Sequence, residues 1–271
     1  MSVSNIVITG STRGVGLGMA RAFLARGHRV VICSRTASAV AAALADLGSS
    51  GGDRVAGTVC DVGQAAAVEA LWDFAVARFG RVDVWINNAG LINARRSLAD
   101  LEPADIDRVV QANVLGVMHG SRVALRGMLA QSPGATAAQI YSFEGFGSDG
   151  MMRPGLTVYG STKAAVRYFV RSLRKEYGDR GVLLGTINPG IVTTDLVTDE
   201  SQRTSAAEWE QTKKRLRLFA DHVDDVAPFL ADAVLANTAQ GASIRWLTIG
   251  KLLGRLVRSP FQARDPFAER R

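Results

Sequence analysis

The stretch Asn5-Ile6-Val7-Ile8-Thr9-Gly10-Ser11-Thr12-Arg13-Gly14-Val15-Gly16 decides the fold. Asn5–Thr9 is a short apolar run, which predicts a buried strand. Gly14–Gly27 carries Met19, Ala20, Phe23 and Leu24 at helical spacing, which predicts a helix. Between the two, glycines permit a tight turn and a close approach of the backbone to a pyrophosphate, which then meets the positive end of the helix. Glycine spacing alone is weak evidence, but its place between a first strand and its helix makes it specific. Gly10, Ser11, Thr12, Arg13, Gly14, Val15 and Gly16 are therefore expected to hold a dinucleotide.

Outward from this turn the same alternation repeats. Strands are predicted at Arg29–Cys33, Arg54–Cys60, Asp83–Asn87, Gln139–Phe143, Val182–Ile187 and Ile244–Ile249. Helices are predicted at Ala37–Leu47, Ala65–Phe79, Asp105–Leu129, Tyr159–Gly178 and Asp225–Ala236. Nearly continuous apolar strands, each followed by a helix, specify a parallel sheet covered on both faces. The expected fold is one α/β doubly wound domain over residues 1–271, with a central parallel sheet of about seven strands. Less regular segments follow the fifth and sixth strands, at Gly145–Thr157 and Thr194–Asp224; such loops are where these sheets bind ligands.

Composition excludes other classes. At 47% hydrophobic and 21% charged residues the chain reads as an ordinary globular protein. No apolar run approaches the ~20 residues of a membrane span. The N-terminus enters a strand at once, without a basic segment or cleavage site, so a cytoplasmic protein is expected. Cys33 and Cys60 read as buried thiols rather than as a disulfide or metal site. The net charge of +7 is concentrated at the end, where residues 245–271 hold seven basic and two acidic side chains, a net +5. No aromatic stacking platform accompanies them, so a solvated basic extension over 250–271 is expected rather than a nucleic-acid site.

The second strand runs into Ser34-Arg35, where an NAD-selective site usually carries a carboxylate for the ribose 2′-hydroxyl. A guanidinium pairs with a 2′-phosphate that a carboxylate would repel. Arg13 and Arg35, with no acid between Val30 and Thr36, favour NADP(H) over NAD. Asp61, followed by Val62 after the third strand, is placed to accept from the adenine amino group.

Tyr159 and Lys163 stand four residues apart on one helix face. A phenol ionises near ~10, and a nearby ammonium stabilises its phenolate, making it a usable acid/base. Together with Thr9-Gly10-x-x-x-Gly14-x-Gly16, Asn87-Asn88-Ala89-Gly90, Asn113 and Pro189-Gly190-Ile191-Val192-Thr193, in that order along the chain, this pair resembles the short-chain dehydrogenase/reductase family over nearly the whole length. The resemblance implies a Rossmann-like fold with Tyr159 as proton donor in reduction. Lys163 would hold the nicotinamide ribose and lower the Tyr159 pKa, and Asn113 would place a water beside Lys163. It further implies that Asn87, Ala89 and Gly90 line the adenosine and ribose side, and that Pro189, Gly190, Ile191 and Thr193 hold the nicotinamide end. It also implies a homodimer or homotetramer. Asn88 reads as a sheet stabiliser.

One element of the family pattern is displaced. Its Ser beyond the fifth strand falls here on Gly145, preceded by Glu144, while Ser142 lies 17 residues before Tyr159. Ser142 and Glu144 share a strand face, so either, or a backbone amide, can polarise the substrate. A carboxylate would favour a cationic iminium; a protonated one would donate like a hydroxyl. The segments GSTRGVG, WINNAG, GFGSDG, YGSTK and PGIVTTDL resemble the chlorophyll b reductase branch, which shares the acidic residue and Gly and reduces a formyl group on a tetrapyrrole.

The expected activity is NADPH-dependent reduction of a carbonyl on a medium-to-large, partly apolar small molecule. The alternatives are imine reduction with Glu144 near the cation, and a non-catalytic NADP(H)-binding sensor. On the substrate side, Thr194–Asp224 is expected as a lid presenting Trp209, Leu216 and Phe219, joined by Met151, Met152 and Leu156. Leu252, Leu253, Leu256 and Val257 form an apolar stripe beside Lys251, Arg255 and Arg258, expected to pack.

Overall fold

The computed structural model of the protein describes residues 2–134, 137–194, 210–211, 213–214, 216–217, 219–258 and 265–267. Strand β1, Asn5–Ile8, is buried along its whole length and leads through the glycine loop into α1, Gly14–Ala25. The alternation continues with β2 (Arg29–Ser34), α2 (Ala37–Gly51), β3 (Val55–Val59), α3 (Ala65–Phe79) and β4 (Val84–Asn87). Then come α4 (Pro103–Val110), α5 (Gly116–Ala130), β5 (Ala138–Phe143), α6 (Thr157–Tyr177) and β6 (Val182–Asn188). The last elements are β7 (Ile191–Thr193), β8 (Ala220–His222), α7 (Val223–Ala236), β9 (Ser243–Arg245) and α8 (Ile249–Arg258).

Seven strands form one sheet in the order β3-β2-β1-β4-β5-β6-β9, parallel at every pairing. Alternate residues of β1 feed opposite cores. Ile6 and Ile8 pack with Phe23, Ile86 and Leu230 on one face, while Val7 packs with Trp85, Leu71 and Val123 on the other. Both faces are covered, which is why the strands read as continuous apolar runs. The order reverses between β1 and β4, so successive crossovers diverge there and open a crevice at the carboxyl ends of the strands.

Three sequence expectations change. The helix expected over Asp105–Leu129 is two helices joined by a π-turn at Gln111–Leu115. The wider turn carries Asn113 inward, fully buried, where polar partners await it. The strand expected at Ile244–Ile249 stops at Arg245. Thr248 Oγ1 accepts from the Lys251 N–H (3.3 Å) and its carbonyl from Leu252 N–H (3.0 Å), so it caps α8 and starts a helix at Ile249. The pair β7–β8, parallel and separate from the main sheet, was not foreseen. It anchors both ends of the expected lid; Trp209 lies outside the described residues.

The basic extension is not simply solvated. Arg255 Nη2 donates to both carboxylate oxygens of buried Asp221 (2.8 Å each), and Lys251 Nζ lies 2.9 Å from the Trp246 ring centre. Both contacts hold α8 against the body; Leu252 is half-buried and Leu253 exposed. The side chains of Leu256, Val257 and Arg258 lie outside the described residues. No helix among the described residues is long and apolar enough to cross a membrane.

One buried titratable group makes stability pH-dependent. His28 Nδ1 accepts from the Ser4 N–H (3.1 Å), and its ring meets Phe23 edge-on. Burial, with Arg26 nearby, pulls its pKa below the ordinary 6.5. A depressed pKa contributes stability that is present above the unfolded value and lost as pH falls through the folded one. Between pH 7 and pH 5 the Tm should therefore fall by about 2–4 °C more than in His28→Asn; equal slopes in thermal melts would count against the assignment.

Candidate active site

A cleft of about 410 Å³ crosses the carboxyl ends of the central strands. One end is bounded by Ser34, Arg35, Asp61 and Val62, its middle by the glycine loop, and the other end by Tyr159, Lys163 and Pro189–Val192.

The glycine loop is shaped for close approach. Gly10 (φ +61°) and Gly14 (φ +57°) occupy the left-handed region that disfavours side chains. A Cβ at Gly10 would stand 2.8 Å from Ala89 Cα. No acidic residue occupies the first turn of α1, whose orphan N–H groups face the cleft end of the helix. Asn88 ties the loop down, its Nδ2 donating to the carbonyls of Thr9 (2.8 Å) and Gly10 (2.9 Å), and it also lines the cleft. Thr9 Oγ1 accepts from the N–H groups of Asn88 and Ala89, fixing β4's end against β1's.

Of the expected cofactor residues, Gly10, Thr12, Arg13, Gly14, Val15 and Gly16 line the cleft, with Ser34, Arg35, Asp61, Val62, Ala89, Gly90, Pro189, Gly190 and Ile191. Three others do not. Ser11 is fully buried, donating to Ile8 O (2.6 Å) and accepting from Cys33 N–H (3.1 Å). Asn87 sits inside the sheet and bonds Trp85 Nε1, Ser121 and Ser142. Thr193 Oγ1 turns to Asp221 O (3.3 Å), and Thr194 lines the cleft in its place. For Asn87 and Thr193 strand alternation, which the motif does not encode, points the group into the scaffold, and for Ser11 the fold of the loop against β2 does so.

At the catalytic end, α6 delivers Tyr159 and Lys163 from one face, as their spacing requires. Lys163 is buried and its Nζ donates to Phe143 O (3.1 Å). Burial lowers its pKa to about 8, against an opposing pull from Glu144. Tyr159 is half-buried on the cleft wall, and burial pushes its phenol up to about 12. Desolvation dominates at the phenol here, and Nζ stands 5.8 Å from the ring centre.

Asn113 likewise holds scaffold. Its Oδ1 accepts from Leu91 N–H (2.7 Å), and its Nδ2 donates to Leu91 O (2.8 Å) and Thr162 Oγ1 (3.0 Å). Thr162 Oγ1 in turn donates to Tyr159 O (2.7 Å), so the π-turn positions the helix that carries the phenol.

The displaced position resolves through packing. Gly145 lies directly under the phenol: a Cβ there would stand 2.5 Å from Tyr159 Oη and 3.3 Å from Lys163 Cε. Ser148 pins this loop to α6, accepting from Gly145 N–H (3.0 Å) and donating to Lys163 O (3.3 Å). Ser142 is not a cleft residue; its Oγ accepts from Asn87 Nδ2 (3.3 Å), because β5 is still paired to β4 and β6 at that register. Glu144 reaches the cleft wall, but its carboxylate lies toward Arg167 (3.8 Å) and Arg245 (3.9 Å).

Sequence reading missed Asn93. Its Oδ1 accepts from Tyr159 N–H (3.1 Å), and its Nδ2 donates to the carbonyls of Ala94 (2.7 Å) and Gly155 (3.0 Å). Separated by 66 residues, that pairing has no sequence signal beyond an Asn in the loop after β4. Arg95, Arg153, Leu156, Phe146 and Leu216 also face the cleft, whereas Met151 and Met152 are exposed and do not line it.

The chain as a whole is similar to known proteins. The family model for short chain dehydrogenase matches residues 4–205. The chain is 38% identical to the chloroplastic chlorophyll(ide) b reductase NOL of Arabidopsis thaliana over 253 residues, 90% of this chain and 70% of that protein. Among solved structures it is similar to a 3-ketoacyl-(acyl-carrier-protein) reductase from Brucella melitensis complexed with NADH (TM-score 0.76, 25% identity, 90% of this chain and 96% of that one). It is also similar to a short chain dehydrogenase from Burkholderia cenocepacia in complex with NADP (TM-score 0.75, 26% identity, 89% and 95%). The glycine loop on β1, the tyrosine and lysine on α6 and these likenesses have one reading: the chain belongs to the short-chain dehydrogenase/reductase family of oxidoreductases.

Proposed function

We propose that the protein is an NADPH-dependent reductase of a carbonyl, a formyl group on a large, partly apolar molecule of tetrapyrrole type being the favoured substrate. The observation that carries this reading is the single cleft running from Arg35 to Tyr159. NADPH bound there supplies the hydride. The glycine loop and the first turn of α1 would hold its pyrophosphate, and Arg13 and Arg35 its 2′-phosphate. Tyr159 Oη donates its proton to the carbonyl oxygen as negative charge develops, and the Lys163 ammonium stabilises the phenolate left behind.

Support for the substrate class comes from the apolar Phe146, Leu156 and Leu216 on the cleft wall, and from the relative's name. An imine reading needs Glu144 on the substrate cation, and its carboxylate is engaged instead by Arg167 and Arg245. The same proposal expects two or four copies associating through α4–α6, where Leu115, Met118, Leu129 and Tyr168 are exposed. It also expects a reducing compartment such as the cytoplasm, which suits the free buried thiols of Cys33 and Cys60.

The test is NADPH oxidation with a formyl tetrapyrrole, aromatic aldehydes and cyclic imines in parallel, with the alcohol product identified. Turnover of imines alone would refute the carbonyl assignment. For the cofactor, Arg35→Asp should raise the KM for NADPH about 10–100-fold, the loss of one or two charge-assisted hydrogen bonds. The KM for NADH should stay level or fall; a parallel rise for both would mean that Arg35 does not read the phosphate.

A further inference from the structure

Two arginines stand at the substrate end of the cleft. Arg95 and Arg153 line it from two loops that meet beside Tyr159. Asn93 joins those loops: its Nδ2 donates to the carbonyls of Ala94 (2.7 Å) and Gly155 (3.0 Å), and its Oδ1 accepts from Tyr159 N–H (3.1 Å). The backbone of Arg95 runs against Gly155, where a Cβ would stand 3.5 Å from the Arg95 Cα. The carbonyl of Arg153 accepts from the N–H of Leu156 (3.1 Å), in the turn that leads into α6 and the phenol. Both arginines are exposed, which places them at the mouth of the cleft rather than on its floor.

The carboxylates of the cleft wall lie elsewhere. Among the described residues they are Asp61 and Glu144. Asp61 bounds the opposite end with Ser34 and Arg35, and Glu144 turns toward Arg167 and Arg245. Arg108, which also lines the cleft, is paired with Asp105 (2.9 Å), whereas Arg153 has no ion-pair partner among the described residues. The phosphates of the proposed cofactor are assigned to the glycine loop, Arg13 and Arg35, away from this mouth.

We propose that Arg95 and Arg153 select a substrate that bears a carboxylate away from its reacting carbonyl. The acid is held at the mouth while the apolar body lies against Phe146, Leu156 and Leu216 and the formyl group meets Tyr159. This deepens, and rests on, the reading of the cleft as a reductase site for a formyl tetrapyrrole. An apolar body lying across the mouth strips water from the guanidinium groups, and a desolvated charge is costly unless it gains a partner. A carboxylate on the substrate supplies that partner, and the guanidinium fork matches its two oxygens. The ester of the same molecule brings the same apolar body without the charge. Neither arginine touches the reacting carbonyl in this arrangement, so the discrimination falls on KM and not on kcat.

The experiment compares a formyl tetrapyrrole as its free acid and as its methyl ester, in NADPH-driven reduction by the full chain. Wild type should show a KM about 10-fold lower for the acid at similar kcat, the worth of one charge-assisted hydrogen bond. That gap should narrow as salt is raised, because both side chains are exposed. Arg95→Met combined with Arg153→Met should bring the ratio of the two KM values to about one, and either substitution alone part of the way. Equal KM values for acid and ester in wild type, or a preference that survives the double substitution, overturns the proposal. An aryl aldehyde with an alkanoate side chain, again as acid and as ester, is run alongside. Preference for the acid there, with no turnover of either tetrapyrrole, removes the tetrapyrrole reading and keeps the arginines; no turnover of any carbonyl removes both.

Discussion

Replacing Tyr159 by Phe should lower kcat/KM for NADPH-driven reduction by about 10³-fold, or ~4 kcal/mol of transition-state stabilisation, and leave NADPH affinity unchanged. The substitution removes one oxygen from a ring whose backbone is held independently, by Asn93 at its N–H and by Thr162 at its carbonyl. Ring placement and cofactor wall are thus preserved while the proton donor is lost. Tyr159 Oη is the only phenol on the cleft wall among the described residues. Stopped-flow measurement of hydride transfer, with NADPH binding followed by fluorescence, separates the two effects. Undiminished hydride transfer would remove Tyr159 from the mechanism; lost NADPH binding would show that it serves the cofactor instead.

The second large effect runs against the family pattern. Restoring the family's serine, Gly145→Ser, should not improve the enzyme but should cost about 100-fold in kcat, since displacements near 1 Å at a reacting group are that expensive. The added Cβ would stand 2.5 Å from Tyr159 Oη, inside any real contact, with the Lys163 stem at 3.3 Å on the same side. Something must move, and the phenol is the nearest. Overpacking of this kind destabilises by about 1–3 kcal/mol as well. Gly145→Ala should be as inactive as Gly145→Ser, because the clash belongs to Cβ and not to the hydroxyl. A serine variant as active as wild type, or more so, would show that Tyr159 has room to retreat and that the glycine is no steric requirement.

These two expectations divide along what is legible in a sequence. The doubly wound sheet was legible because each strand is a short apolar run and each helix carries its own period; both are local properties of consecutive residues. Tyr159 and Lys163 were legible for the same reason, since a spacing of four on a helix is itself a statement about geometry. The glycine loop also declares itself, because the conformations at Gly10 and Gly14 exclude side chains.

What sequence could not decide is where a side chain points once the strands are paired. Ser142, Asn87 and Ser11 have the chemistry of site residues, yet the register of β5 against β4 and β6, and the packing of the loop after β1 on β2, turn them into the scaffold. Asn93 and Arg245 became relevant only when segments far apart in the chain met.

The stretch from Asn5 to Gly16 by itself determined a strand, a tight glycine turn and a helix start, and the repeated alternation after it the sheet, since apolar runs, helical period and glycine backbone freedom are properties of neighbours in sequence. Tertiary structure alone decided the neighbourhood of the acid/base pair. It set Gly145 beneath the phenol and turned Glu144 toward Arg167 and Arg245, because steric exclusion and charge pairing act between atoms that only the completed sheet brings together.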